Sequence, residues 1–281
     1  MFGGSRAAVR LVQDGTAMTM AGEPDHRWFP PGTHITVRGL SKQFNGTVIY
    51  ENFDLDLPRG KVVSVFGPNG CGKSTIINMI AGLIPLDKGD VLFDGKTIDE
   101  TRIGYVFQNY REALFPWLRA IDNIHYPLKL MGLSKRAREE RVAKLLTRFD
   151  VRIDFHRYPY ELSGGQQQTV SILRSLVMEP EVLFLDEPFS ALDYEMTLFM
   201  RDQMQKAFME TNTTMVIVSH DLEEAVYLAD YVLLLTRRPT RIADYVEVPL
   251  PRPRSAETLS DPKFVEIKSH CLDVFRREAK L

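Results

Sequence analysis

A chain of 281 residues and 32.2 kDa offers one large domain or two small ones, and 44% hydrophobic with 26% charged residues is ordinary globular usage, which excludes a largely disordered chain. Thirty-five basic residues against 37 acidic ones leave a net charge of −2, which argues against a globally basic nucleic-acid binder, while 18 glycines and 16 prolines are too few for a collagen-like or low-complexity chain. Cys71 and Cys271 cannot supply a disulfide framework or a metal cluster, and the longest apolar runs, such as Val182–Leu185, fall far short of the roughly 20 residues of a membrane span.

The expectation is a cytosolic protein with a sizeable core. In residues 1–32, Arg6 and Arg10 are followed by Gln13, Asp14 and Gly15, so no apolar core of a secretory signal develops. The stretch is rich in Gly and small polar residues, ends in Phe29-Pro30-Pro31, and reads as a flexible tail. From Thr33 onward, short β-branched runs alternate with helical stretches, the pattern of a parallel sheet with crossover helices. Val62–Phe66, Ile103–Phe107, Val182–Leu185 and Met215–Val218 are continuous apolar runs, as expected of central strands covered on both faces. Each run delivers polar residues at its C-terminal end, where open α/β sheets place their ligand crevice.

After the first of these strands comes Gly67-Pro68-Asn69-Gly70-Cys71-Gly72-Lys73-Ser74-Thr75, a complete G-x-x-x-x-G-K-S phosphate loop between strand and helix. Its glycines let the backbone wrap a phosphate chain, its N–H groups form an anion nest, and the following helix adds its N-terminal dipole. Lys73 is expected to reach the β- and γ-phosphates and Ser74 to ligate Mg²⁺, while Cys71 reads as a small residue that fits. Gln108, at another strand end, is a candidate to sense the metal and the attacking water.

Between Gln108 and Ser163 the pattern turns helical. Ser134 can cap a helix carrying Val142, Leu145, Leu146 and Phe149 at helical spacing, and Lys135–Arg141 reads as its solvated face. Leu162-Ser163-Gly164-Gly165-Gln166 then opens an apolar helical stretch. The strand Val182–Leu185 leads into Asp186, a candidate metal ligand, and Glu187, a candidate general base. Met196, Met200 and Met204 form a core stripe, and His220, at the tip of the last of these strands, can stabilise charge on a γ-phosphate.

These motifs, in this order, resemble the ATP-binding cassette ATPases over roughly residues 34–248. Gly67–Thr75 resembles the Walker A loop, Gln108 the Q-loop, Leu162–Gln166 the signature motif and Val182–Glu187 the Walker B segment. Ser190–Asp193 resembles the D-loop, His220 the switch histidine, and Phe44 occupies the position of the aromatic that stacks on adenine. The resemblance implies a P-loop α/β fold: a mainly parallel sheet core with an antiparallel β edge and an inserted α-helical subdomain at about 109–175. The cassette domain would span 33–250, with 251–281 a short C-terminal extension. It also implies ATP and Mg²⁺ as cofactors, with Ser74, Gln108 and Asp186 around the metal. Ser163, Gly164, Gly165, Gln166 and Asp193 would join the nucleotide site, and Glu187, His220 and Gln108 would be catalytic.

Because one chain carries one phosphate loop and one signature motif, the resemblance implies two copies sandwiching two ATP molecules. The partners it implies are transmembrane permease subunits and a substrate-binding protein, at the cytoplasmic face of the inner membrane, without nucleic acid. The run Gln108–Trp117, Ile121–Ile124, Thr236–Pro239 and Leu250–Arg254 resemble importers of the nitrate, sulfonate and taurine group. A transporter of another substrate, an exporter, or a soluble cassette protein remain alternatives. Gln167, Gln168 and Thr169 depart from the family's basic-rich continuation, which bears on how the signature helix is anchored and on turnover. Leu114 and Leu118 are expected in the core, and Tyr110, Phe115, Pro116 and Trp117 in a socket for a permease helix.

Overall fold

The computed structural model describes residues 32–149, 151–190 and 192–279; the expected tail at 1–32 lies almost wholly outside them. The described chain opens with two long antiparallel strands, β1 (Thr33–Phe44) and β2 (Thr47–Pro58). They are joined at Asn45-Gly46, both at positive φ, the chemistry that a tight hairpin turn needs. After β3 (Val62–Phe66) and α1 (Lys73–Ile80), β4 (Lys88–Phe93) pairs with the free edge of β1, completing a three-stranded antiparallel sheet in the order β2-β1-β4.

The chain continues through β5 (Ile103–Val106), the short α2 (Tyr110–Ala113), α3 (Ala120–Leu130), α4 (Lys135–Phe149) and α5 (Gly164–Leu176). It ends with β6 (Val182–Asp186), α6 (Tyr194–Glu210), β7 (Thr214–Val218), α7 (Leu222–Leu228), β8 (Tyr231–Leu235), β9 (Ile242–Glu247) and α8 (Pro262–Ala279). The second sheet has the order β5-β6-β7-β3-β8-β9, parallel throughout except for β9, which runs antiparallel on β8.

β3, β6 and β7 are buried along their whole length because their alternate residues serve two different cores. Val63, Val65, Phe184, Val216 and Val218 face α1 and the antiparallel sheet. Phe66, Leu183, Leu185, Met215 and Ile217 face the helices that follow β5. That period-2 division explains why these strands read as unbroken apolar runs. Their carboxyl ends lie at one edge of the sheet, the position where the polar residues of the motifs emerge.

Several expectations are refined. Strand β5 stops at Val106, and Phe107 is exposed. The antiparallel component is a sheet of its own together with β9 on the parallel sheet. Helices α3 to α5 do not close around a separate core: Ile124, Leu145, Phe149, Val170 and Leu173 share one cluster with strand residues Leu183 and Leu185. The segment expected as a C-terminal extension is likewise integral, since Phe264, Ile267, Cys271 and Val274 of α8 are buried in that cluster and the Phe275 ring lies 5.1 Å from Phe66.

Arg254, in the tail motif Leu250–Arg254, is only 2% exposed. Its guanidinium donates to the carbonyls of Val226 (3.0 Å), Tyr227 (2.8 Å) and Ala229 (2.7 Å) at the end of α7, and to those of Val248 and Leu250 (both 3.3 Å). A helix C-terminus leaves its last carbonyls unpaired and carries partial negative charge, so one cation satisfies several acceptors there. Burial lowers the pKa of this Arg to about 10, still well above neutrality. Arg254→Met is expected to cost about 3 kcal/mol of stability, because it removes this donor from the buried carbonyls at the end of α7. Urea unfolding reads this directly, and an unchanged midpoint would remove the capping role.

Candidate functional site

The phosphate loop connects β3 to α1, and its glycine before the lysine is required by space as well as by φ. Gly72 has φ 118°, and a Cβ there would lie 2.8 Å from Cγ2 of Ile49 and 3.0 Å from the Tyr50 ring. Cys71 is buried and its thiol pKa is raised, chiefly by burial, which fits a packing residue. Lys73 folds back over the loop, its Nζ donating to the carbonyls of Gly67 (2.9 Å) and Pro68 (3.2 Å). Gly67 to Cys71 line a cavity of about 800 Å³ together with His220, Arg237, Arg238, Phe275 and Ala279.

The parallel register brings the end of β6 to the start of α1. Ser74 Oγ donates to Asp186 Oδ1 at 2.9 Å. Burial pushes the Asp186 carboxyl above the usual carboxylate range, opposed by the Ser74 hydrogen bond. A buried carboxylate beside a hydroxyl is a hard oxygen pair. That pair fits Mg²⁺, which takes one or two protein oxygens and completes its shell with phosphate and water.

Glu187 follows at φ 47°, a left-handed conformation that costs a non-glycine residue about 1 kcal/mol or more. Its N–H donates to Val218 O (3.0 Å), and the Ser190 hydroxyl donates to Glu187 O (3.0 Å), so both sides of the residue are tied down. Its Oε2 accepts from Gln108 Nε2 at 2.9 Å and lies 3.4 Å from His220 Nδ1. Gln108 and His220, from two other strand ends, thus converge on one carboxylate oxygen of Glu187. His220 sits in a turn locked from below: the Ser219 hydroxyl bonds the buried Glu224, and the Asp221 N–H donates back to Ser219 Oγ (3.0 Å). Glu224 is in turn 3.8 Å from Arg201 of α6.

The signature motif forms the N-terminus of α5 through a capping box. Ser163 Oγ accepts from Gln166 N (3.3 Å), and Gln166 Oε1 accepts from Ser163 N (3.0 Å). Gly165 packs beside Leu192 and Met196, next to the D-loop segment. The three residues that depart from the family pattern are anchors here. Gln167 donates to Leu162 O (3.0 Å), Gln168 to Pro188 O (2.8 Å) and Thr169 to Gly165 O (2.9 Å). Gln168 therefore links the signature helix to the loop after Glu187. Asp193 is the N-cap of α6, its carboxylate accepting from Met196 N at 2.8 Å, so it serves its own helix. Phe44 stands half-exposed at the end of β1, with Lys42 Nζ 5.2 Å from its ring centroid.

Residues 50–190 match the sequence model of the ABC transporter family. The chain belongs to the ATP-binding cassette family. A taurine import ATP-binding protein, TauB of Escherichia coli K12, is 37% identical over 87% of this chain and 99% of its own length. An uncharacterised ABC transporter ATP-binding protein of Methanocaldococcus jannaschii is 36% identical over 87% of this chain and 92% of its own. A bacterial ABC transporter cassette solved as a dimer superposes with a TM-score of 0.69 at 29% identity, covering 77% of this chain and all of that one. The same cassette in a post-hydrolysis state bound to ADP and Pi gives 0.68 at 27% identity, with the same coverage. Membership makes this cassette an ATPase.

A groove flanks the cassette's Gln108. It measures about 700 Å³ and is lined by Phe107, Gln108, Phe115, Tyr126, Leu130 and Arg174 among others. Its wall is rigid: Asn123, fully buried in α3, accepts from Phe115 N (2.8 Å) and donates to the carbonyls of Phe115 and Leu118 (both 3.1 Å). Arg174 of the signature helix donates to Ala113 O (2.6 Å) and covers the Phe115 ring at 5.8 Å. Leu114 is in the core as expected, whereas Leu118 is only half-buried and Trp117 is 70% exposed. Sequence reasoning passed over Tyr50 and Glu224, and it named Gln168 and Arg254 without their contacts, which depend on partners distant in the chain.

Proposed function

We propose that this cassette is the ATP-hydrolysing subunit that powers a membrane importer for small anions such as taurine, other sulfonates or nitrate. The observation that carries the reading is the convergence of Gln108, Glu187 and His220 beside the loop of Lys73 and the Ser74–Asp186 pair. The likeness to taurine import proteins supports the substrate class, as do the Gln108–Trp117 and Leu250–Arg254 segments.

In this reading Lys73 leaves the carbonyls of Gly67 and Pro68 to face the β- and γ-phosphates, and Phe44 offers its exposed ring to adenine. Mg²⁺, held by Ser74 and Asp186 with Gln108 nearby, would neutralise charge between the phosphates. Glu187 orients a water and accepts its proton. Gln108 and His220, already on Glu187 Oε2, hold that carboxylate in place, and His220 can turn a ring N–H toward the γ-phosphate. Ser163 and the N–H groups of Gly164 and Gly165 form an anion-binding helix end that would close over ATP bound to a second copy.

No helix among the described residues is long and apolar enough to cross a membrane. The proposed partners are therefore permease subunits docked in the groove beside Gln108, and a substrate-binding protein that delivers the anion to them. The cassette would work peripherally at the cytoplasmic face of the inner membrane.

Light scattering of the Glu187→Gln protein is expected to show monomer without nucleotide and dimer with saturating Mg-ATP. A monomer in both conditions would argue against the two-copy site. Reconstitution with permease subunits tests the transport reading. Inward, ATP-dependent uptake of taurine, another sulfonate or nitrate is expected; outward transport, or uptake of none of them, would overturn it.

A further inference from the structure

The outer side of the phosphate loop carries two buried hydroxyls that the motif does not contain. Tyr50, on β2, donates from its phenolic oxygen to Gly72 O at 3.0 Å. Thr240, in the loop between β8 and β9, donates from its hydroxyl to Cys71 O. Both residues are about 1% exposed. The two are braced against each other, since Thr240 N donates to Ile49 O at 2.7 Å, one residue before Tyr50. Ile49 and Tyr50 also press on Gly72 so closely that a Cβ there would collide with them.

The consequence follows from peptide geometry. In a trans peptide the carbonyl and the next residue's N–H point in opposite directions. A donor that holds the Cys71 carbonyl outward therefore aims the Gly72 N–H to the opposite face of the loop. The same holds for the Gly72 carbonyl and the Lys73 N–H. Both N–H groups stand at the entrance to α1, where the first turn of a helix has no internal acceptors of its own. They are the groups an anion nest needs on its inner face. Without Thr240 the Cys71–Gly72 plane loses its outer donor and the Gly72 N–H is lost to the nest. The Gly72 carbonyl also accepts from Ile76 N (2.9 Å) in the first turn of α1, so Tyr50 is a second, outer restraint on the Gly72–Lys73 plane. Burial raises the Tyr50 hydroxyl well above its ordinary pKa, so it remains a donor throughout the physiological range.

We propose that Tyr50 and Thr240 are positioning residues for nucleotide phosphate: from outside the loop, they orient the Gly72 and Lys73 N–H groups toward the phosphate chain. The inference rests on the nucleotide reading of the phosphate loop given above. It also gives the Thr236–Pro239 tail motif and its neighbour Thr240 a job, as a strap that ties the β8–β9 loop to the back of the nest.

The test is the Mg-ATP affinity of the full chain, with thermal stability followed in parallel. Tyr50→Phe and Thr240→Val each delete a hydroxyl with little change of shape. Thr240→Val is expected to weaken Mg-ATP binding about tenfold, the effect of leaving the buried Cys71 carbonyl without its hydroxyl donor and one inner N–H misaligned. Tyr50→Phe is expected to weaken it by a smaller factor, because Ile76 N still donates to Gly72 O. Thr240→Ser is expected to restore parental affinity. Parental affinity in both Tyr50→Phe and Thr240→Val would overturn the proposal, and so would equal weakening in Thr240→Val and Thr240→Ser, because the hydroxyl would then be irrelevant. If Thr240→Val does not fold, Tyr50→Phe decides on the same readout. Lys73→Ala separates the two levels: if it binds Mg-ATP like the parent, the nucleotide reading itself fails. If it loses binding while the hydroxyl variants do not, only the positioning role fails.

Discussion

Glu187→Gln is expected to lower ATP hydrolysis by about 10²- to 10⁴-fold while nucleotide binding survives, the usual loss for a positioned general base. The amide has nearly the shape of the carboxylate, so the contact from Gln108 Nε2 at 2.9 Å can be replaced by an equivalent one. What the amide lacks is basicity. Hydrolysis should therefore fall without loss of the dimer, which is why the same variant serves to trap the two-copy state. The backbone supports the assignment: a non-glycine residue at φ 47° is unfavourable, and here it is over-determined by bonds to Val218 and Ser190. Strain of this kind collects where a side chain must be aimed. Steady-state ATPase assays with separate nucleotide titrations decide the matter. Turnover near the parental rate would remove Glu187 from the chemistry.

Trp117→Glu is expected to abolish association with the permease, and transport with it, while the isolated subunit folds and keeps its basal ATPase. The prediction differs for the two aromatic residues of the socket because their surroundings differ. Phe115 packs edge-on against Tyr126 with ring centroids 4.7 Å apart and lies under Arg174, so a charge there threatens the groove wall itself. Trp117 touches Phe115 at 5.4 Å but exposes most of its surface, so a charge there leaves the fold alone. A large exposed aromatic on a rigid rim is the kind of anchor that dominates an interface, and a buried carboxylate in its place removes the contact area and adds a desolvation cost. The rim also connects to the chemistry, since Gln108 lines the same groove and Arg174 belongs to the signature helix. Co-purification with the permease, transport and basal ATPase are the three measurements. Normal co-purification and transport would refute the docking role, and loss of fold would show that Trp117 supports the groove wall instead.

Much of the site was legible because its parts are contiguous in sequence. The loop Gly67–Thr75 must follow a strand and precede a helix, and it does so between β3 and α1. The capping box at Ser163 and Gln166 is a spacing of three, readable without any fold. The apolar runs of β3, β6 and β7 announce strands buried on both faces, and the stripe Val142, Leu145 and Phe149 announces one face of α4. Local periodicity carries such information because side-chain direction repeats every 2 or 3.6 residues.

Contacts between residues far apart in the chain belong to the tertiary structure. Sequence alone determined that this chain has a phosphate-loop motif, adjacent Asp and Glu residues at a strand end that are candidates for metal ligand and base, a histidine at a strand tip and a second motif at a helix end. It did not determine that Gln108, Glu187 and His220 meet at one oxygen. That depends on the register of β5, β6 and β7, where Val106 lies opposite Leu185 and Asp186 opposite Val218. Nor did it show that residues 251–279 close the core, because the apolar face of α8 has meaning only against β8, β9 and α7. The role of Arg254 was equally hidden: an arginine in a polar tail reads as solvated until the end of α7 is seen to surround it with carbonyls. Tyr50 and Thr240 are separated by 190 positions, and only the packing of β2 and the β8–β9 loop behind the phosphate loop turns their hydroxyls into its support. Chemistry-bearing residues are written into local sequence; which way each one points is decided by the sheet that gathers them.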